Sequence, residues 1–97
     1  MAQISFTIEA DAQLAALIAD KGLAKRLKAV HKALGYLELD PRHPGLNSHE
    51  FKSLAGTRGE KVWEVYAENK TPAAYRIFWH YGPEADEITI IAITAHP

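Results

Sequence analysis

The sequence predicts an α+β fold, in which an N-terminal strand and a helical hairpin precede a three-stranded antiparallel meander. Three runs rich in β-branched and aromatic residues predict the meander, at 62–66, 74–81 and 87–94. Turn-forming sequences at 68–72 and 82–86 separate these runs. Before them, apolar residues recur every three or four positions, as in amphipathic helices. Because such helices cannot bury their apolar stripes alone, we expect both to cover one face of the sheet.

The first strand is predicted by the segment from Gln3 to Ile8, in which polar and apolar residues alternate. Successive side chains of a strand point to opposite faces, so Ile4, Phe6 and Ile8 are expected to face the core. We expect this strand to join the C-terminal meander.

The first helix is predicted to start at an acidic N-cap, Asp11, and to end at Lys21-Gly22. Its apolar residues at helical spacing are Leu14, Leu17 and Ile18. These residues are expected to form the buried stripe of the first helix.

A longer helix is predicted from Leu23 to Leu39, because Asp40-Pro41 ends the helical pattern. Its expected buried stripe is Leu23, Leu27, Val30, Leu34 and Leu37. Its outer surface carries Lys25, Arg26, Lys28 and Lys32. These four cations form either a solvated polar face or a contact surface for RNA or an acidic partner.

Between the helices and the meander, residues 41–49 are predicted to be a loop, since they include two prolines, a glycine and an asparagine. Residues 50–56 are predicted to be a short strand or turn anchored by Phe51 and Leu54. A polar tight connection at 57–60 then leads into the meander.

The composition predicts one soluble domain, residues 1–97, in the cytoplasm. No apolar run approaches the roughly 18 residues that span a bilayer, and Met1-Ala2-Gln3 does not open a signal peptide. The chain has no cysteine, which excludes disulfides, thiolate catalysis and cysteine-type zinc sites. No H-x-x-x-H or HExxH spacing occurs, so we expect no metal site.

The charge is near neutral in total, at −1, but it is unevenly distributed along the chain. A near-neutral chain is not expected to bind nucleic acid tightly and non-specifically. Residues 21–61 carry nine Lys or Arg against four acidic residues, a net charge of +5. This segment is the candidate electropositive surface.

The strands of the predicted meander sort their side chains by face. On the middle strand, one face carries Arg76, Phe78 and His80. The other face carries Tyr75, Ile77, Trp79 and Tyr81, and we expect it to be the core side. In the last strand, Ile88, Ile90, Ala92, Thr94 and His96 share one alternating set. Both sets of that strand are largely apolar, so it is expected to be central, with a site at its polar C-terminal end.

Several motifs follow one another in a particular order and spacing: Leu54-Ala55-Gly56, Trp63-Glu64-Val65-Tyr66, Ala74 to Trp79, and Ile88 to His96. In this order they resemble the RelE/ParE toxin superfamily, and the resemblance covers nearly the whole chain. It implies the toxin of a type II toxin–antitoxin pair, which represses translation, has a cognate antitoxin as partner and needs no cofactor.

Ribosome-dependent members of that superfamily cut mRNA by attack of a ribose 2′-hydroxyl on the adjacent phosphate. The reaction needs a base, an acid and a cation beside the phosphorane. The resemblance implies that Arg76 stabilises the phosphate and that His96 is the near-terminal acid of the YoeB-like branch. Glu50 or His49 would be the base. The candidates for substrate binding are Lys25, Lys28, Lys32, Lys52, Tyr66 and His80.

The chain departs from the RelE type in two places. RelE-type members carry lysines where this chain has Glu64 and Tyr66, and they extend into an arginine-and-tyrosine tail. These departures argue against a RelE-like site and leave a YoeB-like site open. They also keep open a binding module of the same fold, either a ParE-like inhibitor of a protein such as gyrase or an inactive relative that binds only an antitoxin.

Each candidate residue also has a purely structural interpretation. Arg76 could form a cross-strand ion pair with Glu64. His80 could cap the end of a strand, His96 could be exposed without a role, and Glu50 could be a solvated loop carboxylate. The sequence leaves both interpretations of each residue open.

Overall fold

The fold is a five-stranded sheet with two helices on one face. A computed structural model describes residues 2–68 and 73–96. The elements in chain order are β1 (Gln3–Phe6), α1 (Ile8–Ala19), α2 (Ala24–Leu39), β2 (His49–Ala55), β3 (Lys61–Tyr66), β4 (Tyr75–Tyr81) and β5 (Glu87–Ala95). The strand order is β1-β5-β4-β3-β2, with β1 parallel to β5 and every other pair antiparallel. The predicted α+β fold is therefore confirmed, including the joining of the first strand to the meander. The helices of the described residues are too short or too polar to cross a membrane.

The meander has one strand more than the sequence predicts. Its three predicted strands are present, and the segment at 50–56 is also a full strand, β2, rather than a turn. The loop before β2 contains a single 3-10 turn, Pro44–Leu46, which buries Leu46. Of the turn predicted at 68–72, residues 69–72 lie outside the described residues, as does Pro97.

The second helix buries the predicted stripe. Val30, Leu34 and Leu37 are buried, and Leu23 and Leu27 are partly buried against the same core. Each leucine removed from water in this way contributes about 1.5–3 kcal/mol relative to an exposed one. The stripe therefore anchors α2 on the sheet.

The first strand is shorter than predicted, because Thr7 ends it. The Thr7 hydroxyl accepts a hydrogen bond from the backbone N–H of Ala10 (3.1 Å) and so caps α1. The predicted N-cap, Asp11, is wrong; this residue lies in the first turn of the helix. The prediction that Ile8 faces the core is also wrong, since its side chain is 91% exposed as the first helical residue. Phe6, on the edge strand β1, is 37% exposed.

A side chain of the first helix also accepts a backbone hydrogen bond from β5, beyond the end of β1. Gln13 Oε1 accepts a hydrogen bond from the backbone N–H of Ile93 (2.7 Å), beyond the point where β1 stops pairing with β5. The buried residues of α1 are Ala10 and Leu17, with Leu14 partly buried. The predicted burial of Ile18 is wrong, because its side chain is 54% exposed.

A β-bulge in β5 changes which side chains share a face. Phe78 pairs with Ala92 and Trp79 pairs with Ile90, so Ile91 is an extra residue without a partner on β4. Before the bulge, Ile88 and Ile90 face the helices. After it, Ile93 does so instead, and Ala92 and Thr94 move to the face of Phe78 and Arg76. The residues of β5 that the sequence places on one face are therefore divided between the two faces of the sheet.

A second irregularity bends β2. Between the pairs Glu50–Trp63 and Ala55–Lys61, β2 has residues 51–54 where β3 has one residue. Phe51 packs edge-on against Phe78, with 4.8 Å between ring centroids, on the face away from the helices. Leu54 is exposed, so its predicted anchoring role is wrong.

Candidate active site on the open face of the sheet

The face of the sheet opposite the helices, which we call the open face, carries a buried ion pair between β3 and β4. Arg76 Nη1 donates to Glu64 Oε2 at 2.9 Å, and the two side chains are 16% and 4% exposed. The cross-strand ion pair predicted as the structural interpretation of Arg76 is thus present. The guanidinium also lies over the ring of Phe78, with its Cζ atom 4.8 Å from the centroid, which adds a cation–π contact.

Glu64 joins this arginine to a histidine from β2. His49 is opposite Glu64 in the strand register, and its Nε2 lies 2.6 Å from Glu64 Oε1. Its side chain is 52% exposed, and its other ring nitrogen, Nδ1, lies 3.4 Å from Asn47 O. A carboxylate in this position fixes the tautomer and the plane of an imidazole, and it stabilises the ring when the ring takes up a proton.

A second histidine approaches from the end of β5. The ring of His96 lies 5.9 Å from the ring of Tyr66, which also lies 6.4 Å from the ring of His49. Backbone hydrogen bonds hold His96 in place, from its N–H to Ala74 O (2.7 Å) and from the Ala73 N–H to His96 O (2.9 Å). Tyr66 is therefore flanked by two imidazoles.

These groups form one cluster, which we call the open-face cluster: His49, Glu64, Tyr66, Arg76 and His96. Tyr66 and Arg76 are paired in the register of β3 and β4 and so lie side by side on this face. A hollow of about 460 Å³ adjoins the cluster on the side of His49 and Tyr66. The arrangement combines a paired cation, two imidazoles and an aromatic ring.

Comparison with known proteins gives a fold and no sequence family. No family model matches the chain, and no curated protein matches it. Among solved structures, the YoeB/ParE toxin from Agrobacterium tumefaciens matches with a TM-score of 0.69 and 11% identity, over 98% of this chain and 99% of that chain. The chain has a RelE/ParE-like toxin fold.

Two further structures agree with this fold. The YoeB dimer from Staphylococcus aureus matches with a TM-score of 0.68 and 12% identity, over 99% of this chain and 98% of that one. The archaeal RelE-RelB complex from Pyrococcus horikoshii OT3 matches with a TM-score of 0.64 and 13% identity, over 97% and 93%. At these identities the likeness concerns the fold.

Within the RelE/ParE-like fold, not all of the predicted site residues come together. Glu50 pairs with Trp63 and lies on the helix side of the sheet, so it is separated from the open-face cluster by the sheet itself. Lys52 is exposed in the bulge of β2. The lysines Lys25, Lys28 and Lys32 are exposed on α2, which covers the opposite face of the sheet.

His80 shares the open face with Arg76, as predicted, but it lines a different hollow. Its side chain is buried, and Nδ1 lies 2.8 Å from Tyr81 O, so the carbonyl fixes the proton on that nitrogen. The hollow, of about 410 Å³, is shared with Glu60. Backbone hydrogen bonds from Glu60 itself and from Arg58 lower the pKa of the Glu60 carboxyl from its ordinary value.

The double role of Glu64 is the part of the cluster that the sequence did not reveal. The contact of Glu64 with Arg76 could be predicted, because the alternation of side chains places both residues on the same face of neighbouring strands. The contact with His49 depends on the register of β2, which begins after an irregular loop and carries a bulge. Within residues 2–68 and 73–96, no three His, Asp or Glu residues are placed to hold a metal ion.

Proposed function

We propose that the chain is the toxin of a type II toxin–antitoxin pair and acts as an mRNA endoribonuclease that needs no metal. The observation that supports this proposal best is the open-face cluster, in which His49 and His96 flank Tyr66 beside the fixed cation of Arg76. Cleavage by a ribose 2′-hydroxyl requires these three kinds of group in one place. The match to YoeB and RelE structures agrees with the proposal.

In the proposed mechanism, His49 is the base. Its Nε2 faces Glu64, and its Nδ1, which lies 3.4 Å from Asn47 O, is the nitrogen that would take the proton of the 2′-hydroxyl; the carboxylate and this carbonyl would then stabilise the imidazolium that forms. The 2′-oxygen then bonds to phosphorus, and Arg76 compensates the negative charge of the phosphorane. His96 gives a proton to the departing 5′-oxygen. The products are a 2′,3′-cyclic phosphate and a 5′-hydroxyl.

The proposed partners are a cognate antitoxin and mRNA on the ribosome, in the cytoplasm. One of the matched structures is a RelE-RelB complex, in which a protein of this fold is bound to a second protein. The exposed lysines of α2 would attract ribosomal RNA or an acidic antitoxin.

The proposal is tested by expressing the chain in bacteria, following growth and mapping the 5′ ends of mRNA by primer extension. We expect growth arrest and mRNA cleavage, with 5′-hydroxyl ends. His96→Ala and His49→Ala should each reduce cleavage by about 10²- to 10⁴-fold, the usual contribution of a general acid or base. His31→Ala is the matched control, because His31 is an exposed histidine of α2.

The alternative function is a non-nucleolytic binding module, and the Arg76–Glu64 ion pair favours it. A guanidinium that already neutralises a buried carboxylate has less charge available for a phosphate. Growth arrest without RNA cleavage, unaffected by either histidine substitution, would establish this function instead.

A further inference from the structure

A second concave surface lies behind the open-face cluster, on the helix side of the sheet, and the proposed chemistry does not use it. It is a cavity of about 550 Å³ between the loop that follows α2 and the aromatic residues of β3 and β4. Its lining is Pro41, Arg42, His43, Pro44, Asn47, Ser48, Trp63, Trp79 and Tyr81. We call it the tryptophan cavity, since both tryptophans of the chain line it.

Three aromatic rings form one wall of the tryptophan cavity. The rings of Trp63 and Trp79 are nearly parallel, with centroids 6.2 Å apart, and Tyr81 meets Trp79 edge-on at 4.9 Å. Trp79 is buried as the floor, whereas Trp63 is partly exposed and Tyr81 exposed. The two accessible rings offer flat apolar surfaces to a planar guest.

The polar groups of the cavity are mostly hydrogen-bond donors. Arg42 contributes an exposed guanidinium. His43 Nδ1 accepts a hydrogen bond from the N–H of Gly45 (3.0 Å), which leaves Nε2–H as the donor of a neutral ring. The nine described lining residues include no carboxylate. This lining suits a guest that is planar, rich in acceptors and negatively charged.

Two polar atoms of the lining have no partner. The indole Nε1–H of Trp79 and the hydroxyl of Ser48 are buried and find no acceptor among the described residues. Buried polar groups are almost always hydrogen-bonded, because an unpaired one costs stability. The two residues that carry these atoms both line the tryptophan cavity, so its walls contain incompletely satisfied polar groups.

We propose that the tryptophan cavity binds one base of the RNA substrate together with its phosphate. The base stacks on Trp63 and Tyr81, its ring nitrogens and carbonyl oxygens accept from His43 Nε2–H, and Arg42 meets the phosphate. This inference rests on the proposed function. The cavity and the open-face cluster lie on opposite faces beside the edge strand β2, so an RNA strand that occupies both passes around that edge.

The binding test uses tryptophan fluorescence, since the only two tryptophans of the chain both lie in this cavity. The purified full chain is titrated with AMP, GMP, CMP and UMP, and separately with adenosine and with inorganic phosphate. We expect saturable quenching by at least one nucleoside monophosphate. Adenosine should bind more weakly than AMP, because it lacks the phosphate that Arg42 contacts.

Variants locate the binding. Arg42→Ala should weaken nucleotide binding at least tenfold and leave unfolding by urea unchanged, since Arg42 is exposed. Tyr81→Ala should weaken it similarly by removing one stacking surface. Arg58→Ala is the matched control, because this exposed arginine lines the separate hollow beside His80. It should bind nucleotides like the unmodified chain.

Three results would overturn the inference: no saturable quenching by any nucleotide, quenching that inorganic phosphate reproduces alone, or quenching by N-acetyl-phenylalaninamide but by no nucleotide. The last result would assign the cavity to an aromatic side chain of a protein partner. The outcome is separable from the proposed function. Nucleotide binding without mRNA cleavage would contradict the chemistry alone, and cleavage without nucleotide binding would contradict the cavity alone.

Discussion

At the scale of single residues, the buried carboxylate of Glu64 needs both a charge partner and hydrogen bonds to its two oxygens. A carboxylate taken out of water is tolerated only when its charge is paired and its oxygens accept hydrogen bonds. Glu64 meets this condition with one oxygen on Arg76 and the other on His49. The same contacts hold the guanidinium and the imidazole in place, so stability and the proposed chemistry depend on one carboxylate.

The strength of this pair can be measured by a double-mutant cycle of Glu64→Gln and Arg76→Gln. We expect Glu64→Gln to lower the free energy of unfolding by about 2–4 kcal/mol, because it leaves a largely buried guanidinium unpaired. The coupling energy should be about 1–3 kcal/mol, measured by urea denaturation at neutral pH. The partly exposed pair Arg26–Glu68 is the control and should give at most about 1 kcal/mol. Additive effects at the first pair would contradict the interpretation.

At the scale of the secondary-structure elements, a single hydroxyl links α1 to the sheet. Thr7 Oγ1 caps the helix and also donates to the backbone oxygen of Ile91, the extra residue of the β5 bulge, at 3.3 Å. The backbone N–H of Thr7 continues the ladder by donating to Ile90 O at 3.0 Å. The strand-to-helix turn and the bulge therefore support each other.

Thr7→Ala removes both hydrogen bonds of that hydroxyl, whereas Thr7→Ser keeps it. We expect the alanine variant to lose about 1–2 kcal/mol of unfolding free energy, as is usual for an N-cap, and the serine variant to lose much less. Urea denaturation measures both. Faster amide hydrogen exchange at Ile93 in the alanine variant would show that the bulge has loosened as well. Equal stability of the two variants would mean that the hydroxyl contributes nothing.

The strands and helices could be predicted because their signals are local. Runs of β-branched and aromatic residues predicted the meander. The apolar stripe from Leu23 to Leu37 predicted which side of α2 is buried. The errors lie where one residue's contacts across the chain decide the outcome. Alternation continues through Ile8 in the sequence, but the hydroxyl of Thr7 ends the strand earlier. The bulge at Ile91 has no local signal, because isoleucines stand on both sides of it.

The candidate site could be predicted in part for the same reason. The ion pair between Arg76 and Glu64 could be predicted from the alternation of side chains alone, because the two residues lie on neighbouring strands of a simple meander. The choice between His49 and Glu50 could not be made, because adjacent residues point to opposite faces and the register of β2 was unknown. That register turns His49 toward Glu64 and Glu50 toward the helix side.

At the scale of the whole molecule, the sheet separates two surfaces of different character. The open-face cluster lies on one side, and the exposed lysines of α2 lie on the other. A single RNA strand cannot contact both without passing around an edge of the sheet. The lysines are therefore suited to attracting a large partner rather than to holding the nucleotides at the cleaved bond.

This separation predicts the behaviour of a variant with Lys25, Lys28 and Lys32 all changed to Gln. We expect its cleavage rate at saturating ribosome-bound mRNA to stay within about twofold, while its affinity for ribosomes falls about tenfold at low salt. Pelleting with ribosomes measures the affinity, and the difference should disappear at high salt. A loss of cleavage rate at saturation would place these lysines in the reaction itself.

The extra residue in β5 bears on how activity can be gained or lost on this scaffold. If the strand were regular, His96 would follow Ile88 and Ile90 to the helix side, away from Arg76. Pairing Ile91 with Phe78, with no residue deleted, would keep the topology but turn His96 away from Arg76 and remove an acid from the chemistry, whereas deleting Ile91 would leave His96 on the open face. Two proteins that superimpose well can thus differ in whether they are enzymes, and the register of the last strand is the place to look when a relative is sorted into one group or the other.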